Sequence, residues 1–160
     1  MTAVNPPAGR EDPFDLRRFT AAQERVYDTA IAELRAGRKR THWMWFILPQ
    51  IDGLGRSATS KRYAIRSMEE AREYLRHPVL GPRLSECAEL VLAIEGRSAS
   101  EIFGDPDDLK LHSSMTLFAC ATDPGSVFAR VLDKYFDGEQ DARTLQLLAG
   151  LKGDRPEGAA

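Results

Sequence analysis

Between Arg38 and Tyr63 basic side chains run into aromatic ones and then into a glycine turn. Arg40, His42 and Trp43 come first, Gln50 follows the aromatic run, and Gly55, Arg56, Ser57 and Tyr63 complete the stretch. Arginine forks grip phosphate oxygens through paired hydrogen bonds, glycine lets backbone N–H groups approach an anion, and tryptophan offers a flat face for a base. The string therefore points to an anionic ligand with a flat part. The same rings serve equally well in a core, because aromatics dominate burial. Trp45 and Phe46 read as core, whereas Trp43 stays open between core and stacking platform. Gly53-Leu54-Gly55 lacks the spacing of a phosphate-binding or dinucleotide fingerprint.

A second candidate runs from Asp105 to Met115. Asp107, Asp108, Lys110, His112, Ser113 and Ser114 fall on the first two turns of an expected helix, whose N-terminus would offer free N–H groups to an anion. Asp108 and His112 are four residues apart, a spacing that places a base beside its orienting partner. Helix capping and dipole pairing explain the aspartates as well. Lys110 has no evident structural duty. Asp108 and Lys110 are thus the candidate catalytic residues, with Ser113 beside them as a ligand contact.

Other chemistries fit poorly. His42, His77 and His112 are far apart, and neither Cys-x-x-Cys nor His-x-x-x-His occurs, so no metal is expected. No serine sits in a nucleophile elbow. Cys87 and Cys120 lie in apolar helical patterns, where a reactive thiolate is disfavoured; they read as buried thiols of a reducing compartment.

The totals bound the partners. The chain has 160 residues, 42% hydrophobic and 29% charged, which suits one folded domain with a sizeable core. Its net charge is −2, yet the segment from Arg35 to Arg66 holds eight basic residues against Asp52 alone. A block of about +7 within an acidic protein fits a local anionic ligand better than nucleic acid, whose binders are usually basic throughout; a solvated face is the plain alternative. No apolar run approaches the roughly 20 residues that span a bilayer. Met1 to Asp12 has no apolar signal region, and a cytoplasmic location is expected.

Helices must position these residues, and their punctuation is legible. Asp12-Pro13, Asp105-Pro106 and Asp123-Pro124 each read as a cap followed by a first-turn proline. Ser67 to Glu70 and Ser98 to Glu101 read as capping boxes. Pro78 opens one further helix, and Asp141 caps a last one, ended by Gly150. Apolar residues recur at three- and four-residue spacing from Leu16 to Leu34, from Leu80 to Ile94, from Leu111 to Ala119 and from Val127 to Tyr135. The pattern predicts an all-α, single-domain irregular array of about seven helices with short connections. The domain is expected over residues 12–150, between a flexible lead (1–11) and a flexible tail (151–160). No βαβ alternation or internal repeat appears. His42 to Leu48, apolar nearly throughout, fits either a helical turn or an extended segment.

The string from Lys39 to Gln50 with Gly53 to Ser57, the string His77 to Leu84, and Asp107 to Lys110 with Ser113 to Phe118 resemble a bacterial family of unknown function. That family has an all-helical mycobacterial prototype and sometimes carries a calpastatin label. The resemblance runs from Asp12 to Leu148 and implies a helical fold. Protease inhibition does not follow, since calpastatin's inhibitory segments are disordered repeats. A more distant likeness, through Glu70-Ala71, Gly81-Pro82-Arg83 and a later helix with Lys110 and Met115, is to the NADAR superfamily. That likeness implies N-glycoside or ADP-ribose chemistry, although the superfamily's late acidic and tryptophan-glycine ending is absent here.

Two functional readings follow. In the first, the chain binds or hydrolyses a phosphorylated N-glycoside such as ADP-ribose: Arg40 and Arg56 hold phosphate, Trp43 stacks the base, and Asp108 or Lys110 assists at the glycosidic carbon. In the second, a non-catalytic module recognises a nucleotide or an acidic protein through the same surface. No cofactor, membrane or obligate partner is expected in either.

Overall fold

The computed structural model describes residues 12–154, with side chains as far as Leu151. Nine helices are present among them: α1 (Arg17–Arg35), α2 (Met44–Ile47), α3 (Ala58–Arg62), α4 (Met68–Arg76), α5 (Leu80–Ala93), α6 (Ala99–Phe103), α7 (Asp107–Cys120), α8 (Val127–Phe136) and α9 (Ala142–Asp154). The array is all-α, and the two helices beyond the expected seven are α2 and α3. Among the described residues strand-like pairing amounts to one parallel bridge, Ile51 to Ile65. The expected flexible lead and the tail beyond Asp154 lie outside the described residues.

The apolar stripes fall where their periodicity puts them. Leu16, Phe19, Ala30, Ile31 and Leu34 are buried along α1, and Leu80, Leu84, Cys87, Ala88 and Val91 along α5. Helix α5 packs against α1, α4 and α8, while α7 is covered by α6, α8 and α9. From Ser113 to Phe118 every α7 residue is buried, so this helix is the inner member of its half. Helices α4 and α5 approach so closely at Gly81 that a Cβ there would lie 2.1 Å from the Leu75 carbonyl oxygen. No larger residue fits without moving backbone.

Several helix starts differ from their expected form. Asp12 does not begin α1 directly: a turn intervenes, and its carboxylate accepts from the N–H groups of Leu16 and Arg17 at 2.7 and 3.0 Å. Helix α8 is capped by Ser126, not Asp123. His77 Nδ1, rather than Pro78, organises the start of α5, accepting from the N–H groups of Val79 and Leu80. Ser98 and Glu101 form a complete capping box. Ser67 and Glu70 make only half of one. Ser67 Oγ accepts from Glu70 N, but the Glu70 carboxylate turns to Arg66 N–H and Arg18. Asp141 caps α9 as expected, accepting from Thr144 N at 3.0 Å, yet Gly150 lies inside that helix, which continues to Asp154.

The segment His42 to Leu48 resolves into a single helical turn, Met44–Ile47, seated against α1 and α5. Neither cysteine forms a disulfide. Cys87 is fully buried, and desolvation pushes its thiol up to about 12, which keeps it protonated and unreactive at neutral pH.

Candidate functional site

Helix α2, the loop that follows it, and the first turns of α7 meet at the surface, where they enclose two adjoining clefts. Trp45, Ser57 and Lys110 line both, and so form the wall between them. The Lys110 ammonium sits 4.3 Å from the centre of the Trp45 ring. A cation over an indole face is attracted by the ring quadrupole.

The larger cleft, about 470 Å³, lies between the loop Gln50 to Ser60, the start of α7 and the start of α9. Three cations border it: Arg56, Lys110 and Arg143. Among the described residues its one acidic side chain is Asp141, already engaged as the cap of α9. Gln50 forms part of its buried wall, 5% exposed, and the carboxamide nitrogen has no hydrogen-bond partner among the described residues. An unpaired buried donor costs about 1–3 kcal/mol; Ser114 Oγ, which borders neither cleft, is the other such atom among the described residues. Gly55 is required here for space: a Cβ on it would lie 2.5 Å from Ser60 Oγ and 3.3 Å from the Trp45 ring. Ser57 caps α3 by accepting from Ser60 N at 3.0 Å.

The smaller cleft, about 380 Å³, opens on the other side of Trp45 and takes in Lys39, His42 and Asp107. Asp107 bridges two lysines, with Lys39 Nζ at 2.7 Å and Lys110 Nζ at 3.1 Å. Lys39 is a deeply placed cation, its side chain 5% exposed, and it also donates to the Thr41 carbonyl. Burial alone would raise the Asp107 carboxyl, but hydrogen bonds from Lys39 and Lys110 outweigh it and hold the group below its usual value. Asp107 is therefore an ionised anchor, poorly suited to carrying a proton at neutral pH.

Of the residues singled out in the sequence, Gln50, Gly55, Arg56, Ser57, Lys110 and Ser113 come together around the larger cleft, and His42 borders the smaller. Others go elsewhere. Trp43 borders the smaller cleft but is 1% exposed, with Nε1 donating to Glu33 Oε1 at 2.8 Å, so its faces are not open for stacking. The half-buried indole on the clefts is Trp45, which the tendency of aromatics to be buried assigned to the core. Arg40 borders neither cleft; its backbone N–H donates to Glu33 while its side chain stays exposed. Tyr63 packs its ring on Phe46 and Phe19. Asp108 borders neither cleft and does not pair with His112, which stacks on Phe136 and hydrogen-bonds the Glu139 carbonyl. Nor does α7 begin with free N–H groups: those of Asp108, Leu109 and Lys110 reach the carbonyls of Gly104 and Pro106.

Trp45, Asp141 and Arg143 were not read as site residues, and Asp107, within the second candidate stretch, was read chiefly as a helix-pairing aspartate. Arg143 and Asp141 come from the last helix, far along the chain, and no local pattern marks them. Among the described residues no group of three or more His, Cys, Asp or Glu is placed to hold a metal ion. No helix among them is long and apolar enough to cross a membrane.

Comparison with known proteins places this arrangement in a lineage. No curated protein matches the chain. The crystal structure of the conserved hypothetical protein Rv1873 from Mycobacterium tuberculosis superposes with a TM-score of 0.85 at 60% sequence identity, covering 86% of this chain and 99% of that one. The family model described as "Protein of unknown function (DUF1810)" matches residues 13–148, a span that includes both clefts, and the chain belongs to that family.

Proposed function

We propose that the chain binds a phosphorylated, nucleotide-type small molecule in the larger cleft. The observation that carries this reading is the convergence of Arg56, Lys110 and Arg143 on one concavity whose only acid is committed to a helix cap. Guanidinium forks match phosphate oxygens, and Trp45 supplies an aromatic wall beside them. A concave site with a half-buried indole favours a small molecule over the flat basic face that an acidic protein would use.

A hydrolytic role at an N-glycosidic bond, of the kind implied by the NADAR likeness, is the second reading, and Asp107 favours it. The carboxylate is ionised and lies on the other side of the Trp45–Lys110 wall from Arg56 and Arg143, so it could stabilise a cation-like sugar. It would take the part that spacing gave to Asp108.

A thermal-shift series with ADP-ribose, NAD, mononucleotides and ribose phosphates tests the binding reading. Ligand at about 100 times its dissociation constant adds roughly 2.7 kcal/mol of stability. The shift is expected to vanish in Arg56→Ala and Arg143→Ala. No shift with any of these ligands would retire the reading and favour a protein partner. A ligand that binds without turnover would leave the binding module and remove the hydrolase.

A further inference from the structure

We propose that Gln50 is the specificity-determining residue of the larger cleft, its carboxamide reading the edge of a nucleobase by donating from Nε2 to a ring nitrogen or carbonyl oxygen. The inference rests on the nucleotide reading above and adds which end of the ligand lies where. Its starting point is a contrast between two buried glutamines. Gln23, 1% exposed, donates from Nε2 to the Phe46 carbonyl and the Tyr74 hydroxyl, and its Oε1 accepts from Arg83. Gln50 is almost as deep, yet its Nε2 meets no acceptor. The backbone beneath it is fixed, since Ile65 N–H donates to the Gln50 carbonyl at 2.8 Å and Asp52 N–H to the Ile65 carbonyl. A residue whose backbone is firmly held thus lines the cleft while its amide nitrogen, just beneath the surface, has no acceptor among the described residues, so that rotation of the carboxamide would present it to a ligand.

Charge and depth assign the two ends of the ligand. Arg56 and Arg143 are exposed at the rim, where a phosphate keeps part of its hydration while it is gripped. Gln50 lies in the buried wall, with Leu54 and Trp45 lining the same cleft. A phosphate drawn that deep would lose its water and face the carboxamide oxygen as well as the nitrogen. A neutral heterocycle bears the burial readily, and a carboxamide matches a base edge that sets acceptor beside donor, as adenine does with N7 and its amino group. A site built to hydrogen-bond such a group rejects analogues that lack it, because its own polar atom is then left unpaired.

Calorimetric titration of AMP and of ribose 5-phosphate, on the wild type and on Gln50→Met, tests the assignment. The wild type is expected to bind AMP at least tenfold tighter than ribose 5-phosphate. Gln50→Met should lower AMP affinity about tenfold and leave ribose 5-phosphate unchanged. Without ligand, Gln50→Met should melt at or above the wild-type temperature, because an unpaired amide has been removed. A melting point several degrees lower would reveal a structural partner for the amide and overturn the inference. So would equal affinities for the two ligands in the wild type, or equal losses in the variant, and either result would leave phosphate binding intact. Arg143→Ala, which should weaken both ligands together, reports on the nucleotide reading separately. If neither ligand binds the wild type, both the reading and the inference fall.

Discussion

Arg18 and Lys110 are both cations set against a carboxylate, yet the two places they hold are finished differently. All five N–H groups of Arg18 are used: they reach the carbonyls of Phe14, Asp15, Arg62 and Ala64 and the carboxylate of Glu70 at 2.6 Å. Both members of the ion pair are 3% exposed. This lock ties α1 to the start of α4 and to the chain leaving α3. Lys110 instead meets one oxygen of Asp107 and one face of Trp45, in a wall between two clefts. Gln23 and Gln50 repeat the contrast among neutral side chains. Gln23 closes its hydrogen bonds within the fold, whereas Gln50 Nε2, in the wall of the larger cleft, has no partner among the described residues. That difference adds to the convergence of Arg56, Lys110 and Arg143 in support of the binding proposal.

The contrast is broken most severely at the closed end. Glu70→Ala leaves a buried guanidinium without its anion, and we expect a loss of about 3–5 kcal/mol in denaturant unfolding. Replacing both partners, Arg18→Met with Glu70→Met, should cost less than the single change, because no uncompensated charge remains. A single-variant loss under about 1 kcal/mol would show that the lock does not hold these helices.

Asp107 lies between the two regimes. Asp107→Asn removes the anion beside Lys39, whose side chain is nearly as buried as that of Arg18. We expect a loss of about 2–3 kcal/mol, smaller than at Glu70 because Asp107 is 20% exposed and solvent shares the charge. The shift in urea midpoint measures it. If the variant matches the wild type, Lys39 is held by the Thr41 carbonyl and the Trp43 ring rather than by the ion pair.

Glu33 sharpens the comparison through pH. Burial works against its charge, but hydrogen bonds from the backbone of Arg40 and Thr41, the Thr41 hydroxyl and the Trp43 indole hold its carboxyl down at about 2, from an ordinary 4.5. A carboxyl depressed by folding adds stability that is complete above the unfolded value and is lost as pH falls through the folded one. The contribution is therefore present above about pH 4.5 and fades between 4.5 and 2. Glu33→Gln should cost about 1.5–2 kcal/mol at pH 7 and flatten that acid limb of the stability curve. An unchanged limb would assign acid sensitivity to another carboxylate.

How much of this was legible in the sequence follows from the range of the forces involved. Helices α1, α5, α7 and α8 carry apolar residues at helical spacing, so one face announces itself within a few turns. Helix α2 has four residues and an apolar flank on every side; its helical state is set by α1 and α5, which no local pattern reports. Helix α3 is short and polar, and its Ser57 cap is its one local signal. The cleft shows the same division. Gln50, Gly55, Arg56, Ser57, Lys110 and Ser113 were readable as candidates from residue type and neighbours. Arg143 and Asp141 were not, since α9 reaches the cleft only through packing on α7. Trp43 is drawn into the core, and Trp45 is left at the clefts, because the acceptor that captures Trp43, Glu33, belongs to α1.

The smallest expected effect on stability falls at the open end, and it tests the comparison most directly. Lys110→Met removes a partly exposed ion pair and a cation over Trp45, contacts worth under about 1 kcal/mol together when solvent reaches them. Asp107 keeps Lys39, so no buried charge is orphaned, and methionine preserves the stem that lies along the indole. Thermal melting without ligand should therefore stay within about 2 °C of the wild type, the shift that a fraction of a kcal/mol produces in a domain of this size. The stabilisation by AMP should fall sharply in the same experiment, because the ammonium is the cation common to both clefts. A variant that melts much lower would make Lys110 another closed contact like Arg18. One that keeps both its melting point and its response to AMP would leave Lys110 as neither scaffold nor ligand contact, and the openness of the wall would lose its functional meaning.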